Sequence, residues 1–170
     1  YIFKKNTDGS WNQLQKLVAN DRANSDVFGI SVAIRNNYAI IGAWGDDAFT
    51  GSAYIFELNT DGSWTQLQKL VSDDGTKKDY FGGSVAIDNN YAIVGASGND
   101  EKNGLAYIFK KNTDGSWNQL KKLVADDGAN GDYFGRSVVI VDNNYAIVGA
   151  NGDDSYKGSA YYFNISKPSA

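Results

Sequence analysis

The 170-residue sequence contains no cysteine, no histidine, no methionine and a single proline. Without cysteine and histidine it has no disulfides, no thiol nucleophile, no zinc site of the usual kind and none of the commonest general base. The fold must therefore be held by packing. No apolar run approaches the roughly 18 residues that cross a bilayer as a helix, and no membrane insertion is expected. With neither a methionine nor a signal peptide, the chain is expected to begin inside a longer gene product. Positive charge is also in the minority, with 16 basic against 20 acidic residues and a net charge of −4. Nucleic acid or an anionic membrane would want a basic face, so neither is an expected partner.

What the sequence does contain is a repeat. FGISVAI begins at Phe28, FGGSVAI at Phe81 and FGRSVVI at Phe134, a step of 53 residues each time. Trp11, Trp64 and Trp117 keep the same step, and Tyr38, Tyr91 and Tyr145 keep it to within one residue, since Val141 is extra in the last copy. A period of this size means one supersecondary unit copied side by side.

Within a unit, Phe81-Gly-Gly-Ser-Val-Ala-Ile87 alternates large and small residues without charge, which predicts a strand buried on both faces. Arg136 is the exception and is expected to face an acid such as Asp132, because a buried guanidinium needs partners for its donors. Asn89-Asn90 makes a tight turn into a second strand, Tyr91 to Ala96. An acidic, glycine-rich loop then returns to a third strand, Tyr107-Ile-Phe109. Asn112-Thr-Asp-Gly-Ser116 closes a hairpin, and a half-wet fourth strand starts at Trp117. Calcium at the Asn-x-Asp-Gly-Ser turn is disfavoured, since so short a loop cannot supply six oxygens.

Four antiparallel strands in about 50 residues make one blade of a β-propeller. The expected fold is all-β, a propeller of four-stranded antiparallel blades with about three blades in this chain; the rival closed fold is a β-trefoil. Residues 1–166 divide into a partial blade (1–21), two blades (22–74 and 75–127) and a blade lacking its outer strand (128–166). Residues 167–170 read as a tail or linker.

Phe28-Gly29 followed by Gly42-Ala43, and Phe81-Gly82 followed by Gly95-Ala96, resemble the FG-GAP repeat of the integrin alpha-subunit propeller and its bacterial relatives. The resemblance implies a propeller at or outside the cell surface, used for adhesion or recognition. Two departures stand out. Trp44, Ser97 or Asn151 replaces the proline of Gly-Ala-Pro, and a short turn such as Asp88-Asn89-Asn90 replaces the calcium loop that many members carry. Integrin-style calcium binding is accordingly not carried over; no cofactor is expected, with calcium at the acidic face left open.

The count is 13 strands, whereas propellers close with about four to eight blades. The chain is therefore expected to complete itself by self-association or through further blades of a larger parent chain. Up-and-down strand order puts Asp26, Asp79 and Asp132 on one face with the return loops. The candidate ligand-binding residues lie there: Trp44, Asp46, Asp47, Asp100, Asp153, Asp154 and Tyr156. Carboxylates suit cations or sugar hydroxyls, and Trp44, Phe49 and Tyr156 are loop aromatics that not every copy has. Polar loops that merely keep the domain soluble are the plainer reading. The expected partner is a protein or glycan ligand at a surface. Paired carboxylates also serve glycosidases, but these acids recur in every repeat and no copy stands out as a reactive pair, so no enzymatic activity is expected.

Overall fold

The computed structural model describes residues 1–98, 103–142 and 144–165. The strands run β1 (Ile2–Lys5), β2 (Trp11–Gln15), β3 (Ser31–Arg35), β4 (Tyr38–Ala43), β5 (Ser52–Leu58), β6 (Trp64–Leu70), β7 (Phe81–Asp88), β8 (Tyr91–Ala96), β9 (Leu105–Lys111), β10 (Trp117–Leu123), β11 (Phe134–Val141), β12 (Tyr145–Ala150) and β13 (Ser159–Asn164). They form four separate antiparallel sheets: a β1-β2 hairpin, β3-β4-β5-β6, β7-β8-β9-β10 and β11-β12-β13. These are propeller blades. Among the described residues no sheet closes into a barrel, which excludes the trefoil.

Each blade meanders because its turns are short. Asn112 accepts from Gly115, donates to the Ser116 carbonyl and fixes the β9–β10 hairpin, and the same bonds recur at Asn6 and Asn59. The first strands lie side by side, β3 against β7 and β7 against β11, while β6 and β10 are outermost in their blades. Trp64 and Trp117 on those outer strands are buried nevertheless.

The Phe-Gly and Gly-Ala pairs form the junctions between blades. Phe81 donates its amide to the Thr50 carbonyl of the preceding blade (3.0 Å), and Phe134 to Asn103 (2.9 Å). Both rings are fully buried and meet aromatic edges at 5.4–6.0 Å, Phe81 against Tyr107 and Phe109, Phe134 against Tyr161 and Phe163. A Cβ on Gly42 would overlap the Gly82 carbonyl of the next blade, and one on Gly95 would overlap that of Gly135. Only glycine lets two backbones approach so closely. Ser31 and Ser84 donate to those same carbonyls, each at 2.7 Å.

Three expectations need correction. Phe28 does not begin a strand: β3 starts at Ser31, and Phe28 is only half-buried. No preceding blade offers it the edge that Gly51 offers Phe81. The first strand is buried on both faces only in the middle blade; Val32 and Ile34 are 68% and 58% exposed, whereas Val85 and Ile87 are 8% and 7%. Arg136 does not face an acid. It is exposed on the open face of β11 and pairs with no carboxylate among the described residues, because no blade covers it.

Candidate functional site

The acidic loops divide into carboxylates spent on the fold and carboxylates left outside it. Asp26, Asp79 and Asp132 are buried and bind amides three residues upstream, those of Ala23, Thr76 and Ala129, at 2.5–2.7 Å. Their own carbonyls accept from Gly45, Gly98 and Gly152, so each loop leading into a first strand is tied to the return loop of its blade. These three aspartates shape the face and are not free to bind.

Asp46 is also consumed. Its carboxylate takes the Lys69 ammonium at 2.6 Å and the Tyr54 hydroxyl at 3.0 Å. Burial alone would raise its pKa, but the bonds from Lys69 and Tyr54 overcome this and hold it below the usual carboxylate value. Burial, then the Asp46 carboxylate, push the Tyr54 hydroxyl well up. Lys69 is desolvated, yet its bonds to Asp21 (2.8 Å) and Asp46 drive it above an ordinary lysine. The middle blade repeats the arrangement more openly, with Lys122 on Asp74 at 2.7 Å and Tyr107 donating to the same carboxylate at 2.9 Å. In the last blade Tyr161 donates to Asp127 at 2.8 Å, with Asp153 at 3.5 Å.

Asp47, Asp154 and Tyr156 project outward, Tyr156 with 71% of its surface exposed. Asp47 keeps a long 3.5 Å contact to Lys69. They sit on unusual backbone: Asp47, Ala48 and Phe49 are consecutive left-handed residues (φ 48°, 57° and 71°), as are Asp154, Ser155 and Tyr156 (50°, 61° and 69°). Non-glycine residues seldom adopt this region, and runs of three concentrate strain of the kind found at functional loops. Phe49, at the end of the first run, packs on Trp44 with ring centroids 5.6 Å apart. Tyr80 closes the group, 4.9 Å from Trp44 and 6.1 Å from Phe49. An aromatic patch thus bridges the loops of two blades beside the exposed Asp47.

Of the sequence-selected residues, the structure brings Trp44 to the patch, puts Asp46 and Asp47 on one lysine, and leaves Asp153, Asp154 and Tyr156 on a separate blade. Asp100 lies outside the described residues. Tyr80 was missed; the signal was that Val27 replaces it in the first copy while Tyr133 keeps it in the third. Among the described residues no three acidic side chains converge as a metal site would require.

Three consecutive segments, residues 11–56, 64–109 and 117–163, match the FG-GAP repeat family. The chain belongs to the FG-GAP repeat family. Each FG-GAP match starts on a fourth strand and ends on the third strand of the next blade, so one repeat spans a junction rather than a blade. Among solved structures the chain is similar to one described as "Structure of YjhT", with 24% identity over 72% of this chain and a TM-score of 0.39. The chain corresponds to 33% of that protein's length. No curated protein matches it.

Proposed function

We propose that this FG-GAP module is a non-catalytic binding or adhesion unit working outside the cell or at its surface, with the loop face as its recognition surface. The Trp44–Phe49–Tyr80 patch beside Asp47 carries the reading. There, aromatic rings from the loops of two blades coincide with an unburied carboxylate and strained backbone. Aromatic faces and a hydrogen-bond acceptor recognise either a protein loop or a sugar ring. The carbohydrate reading is favoured by the tilt of Trp44 against Phe49 (32°), which offers a broad apolar platform. A catalytic reading has less to work with, because the buried carboxylates are engaged by amides, Tyr54 and Lys69.

Glycan-array and matrix-protein binding by the chain, with Trp44→Ala and Phe49→Ala as comparisons, test this. Binding that both variants lose while keeping their β-sheet circular dichroism supports the loop face. Binding that survives both places the recognition surface elsewhere.

A further inference from the structure

We propose that Asn130 is a modification site: in the folded chain it loses its side-chain amide to attack by the Gly131 backbone nitrogen, leaving aspartate or isoaspartate in the loop that enters β11. The inference is independent of whether the loop face binds a partner. Asn-Gly is the dipeptide in which this reaction meets least hindrance, because glycine puts no side chain beside the attacking nitrogen. The sequence has three such dipeptides, Asn103-Gly104, Asn130-Gly131 and Asn151-Gly152. The fold restrains two of them and leaves one open.

Gly152 is buried and its amide donates to the Asp132 carbonyl at 2.9 Å, so the nitrogen that must attack Asn151 is already held. Gly104 is buried in a bridge to Phe134, and the Asn103 carbonyl takes the Phe134 amide at 2.9 Å. Asn130, by contrast, is exposed, and the Gly131 amide donates to no acceptor among the described residues. Gly131 has φ 98°, and nothing stands within 4 Å of where its side chain would be. Neighbouring blades do not close over this loop. Lys77 and Lys78 hold the same positions in the middle blade, which has a blade on each side, and both remain exposed. Asn24 and Ser25, their equivalents in the first copy, are exposed as well.

The reaction balances with water alone. Gly131 gives up its amide proton and its nitrogen bonds to Asn130 Cγ. The Cγ–Nδ2 bond breaks and ammonia leaves with that proton, closing a cyclic imide. Water then opens the imide at either carbonyl. Opening at Cγ leaves aspartate; opening at the main-chain carbonyl leaves isoaspartate, with Cβ and Cγ carried in the backbone. Either product adds a negative charge beside Asp132, which holds the loop together. The Asp132 carboxylate accepts from the Ala129 amide at 2.6 Å, its amide donates to the Ala129 carbonyl at 3.2 Å, and its carbonyl holds Gly152. Isoaspartate lengthens the backbone inside that turn and spoils its fit, which loosens the tie between the entry loop and the return loop of the last blade.

Ageing of the purified chain in warm, mildly alkaline buffer, followed by peptide mapping with mass spectrometry, tests this. Deamidation at Asn130 should run at least about tenfold faster than at Asn103 or Asn151, a lead that asks only about 1.4 kcal/mol of local opening at the other two. In urea the three rates should converge, since the dipeptide alone then decides. Gly131→Ser copies the first repeat, where Ser25 takes φ 74°, and should slow the loss at Asn130 several-fold with the circular dichroism unchanged. The deamidated chain, separated by ion exchange, should exchange its Gly152 amide hydrogen faster than the intact chain. Asn103 or Asn151 reacting as early as Asn130 in the folded chain, a lead that persists undiminished in urea, or a Gly152 amide equally protected in both forms overturns the proposal.

Discussion

The middle blade and the two that flank it share their sequence almost residue for residue, yet they are not equally folded in. Ile93 is fully buried while its equivalent Ile147 is 44% exposed. Trp117 is 1% exposed and packs edge-on to Tyr38 at 6.0 Å, while Trp11 is 64% exposed. The same side chains in the same strands become core only where a neighbouring blade covers that face: Ile40, with a blade beside it, is as buried as Ile93. The unit of stability in this chain is therefore the junction, as expected of a repeat protein in which neighbours share interfaces. The FG-GAP signature records that fact: phenylalanine fills the junction, and glycine opposes glycine across it.

The sharpest way to break the comparison is at the phenylalanines. Phe81→Ala should cost about 3–5 kcal/mol in urea denaturation, the usual range for a fully buried ring. Phe28→Ala, removing a half-buried ring, should cost less than half as much. Equal losses would show that the phenylalanine serves its own blade rather than the junction. The glycines come next. Gly95→Ala forces a methyl into the Gly135 carbonyl and should cost roughly 1–3 kcal/mol. Gly149→Ala, where only Ser137 comes near the added methyl, should stay within about 0.5 kcal/mol.

The architecture was legible because it is written as periodicity. The 53-residue step, the alternation in Phe81 to Ile87 and the Asn-Asn and Asp-Gly turns specify blades without reference to anything distant. What the sequence hid depends on neighbours. Val32 and Val85 are the same letter in the same pattern, and only the presence of a preceding blade separates exposed from buried. Arg136 misled for that reason: it lies on a strand that reads as internal but has an open face. At the loop face, Asp46 and Asp47 are adjacent and look alike, yet one is saturated by Tyr54 and Lys69 and the other points outward. The left-handed run at Asp47, Ala48 and Phe49 has no glycine to announce it.

Lys69 and Lys122 compare a closed ion-pair site with an open one. Lys69→Met leaves Asp46 buried without its cation and should cost about 1–2 kcal/mol at pH 7. Lys122→Met, with side chains 40% and 48% exposed, should cost under about 1 kcal/mol. Bonds from the two lysines and Tyr54 lower the folded pKa values of Asp21, Asp46 and Asp74. The stability they contribute is therefore present above the ordinary carboxylate pKa near 4 and is lost as pH falls below it. The Lys69 pKa is raised, so its share is present below an ordinary lysine pKa near 10.5 and is lost as pH climbs through the folded value. The gap between the two methionine variants should hold across the neutral range and close in acid. A gap that persists at pH 2 would mean that lost packing, not charge, sets the difference.

The smallest effect should be that of calcium. The Asp46–Asp47 and Asp153–Asp154 loops look like paired oxygen sites in sequence, but in each the first aspartate is turned inward, to Tyr54 and Lys69 or toward Tyr161. One outward carboxylate per loop supplies at most two of the six to eight oxygens that calcium takes. A site with a dissociation constant a hundredfold below the calcium concentration would add about 2.7 kcal/mol. For a chain of this size that raises the melting temperature by several degrees. Adding millimolar calcium, or removing it with EDTA, should instead move the melting temperature by less than about 1 °C. A rise of several degrees, abolished by Asp47→Asn or by Asp154→Asn, would show which of the two loops gathers further oxygens and would make the loop face a cation site.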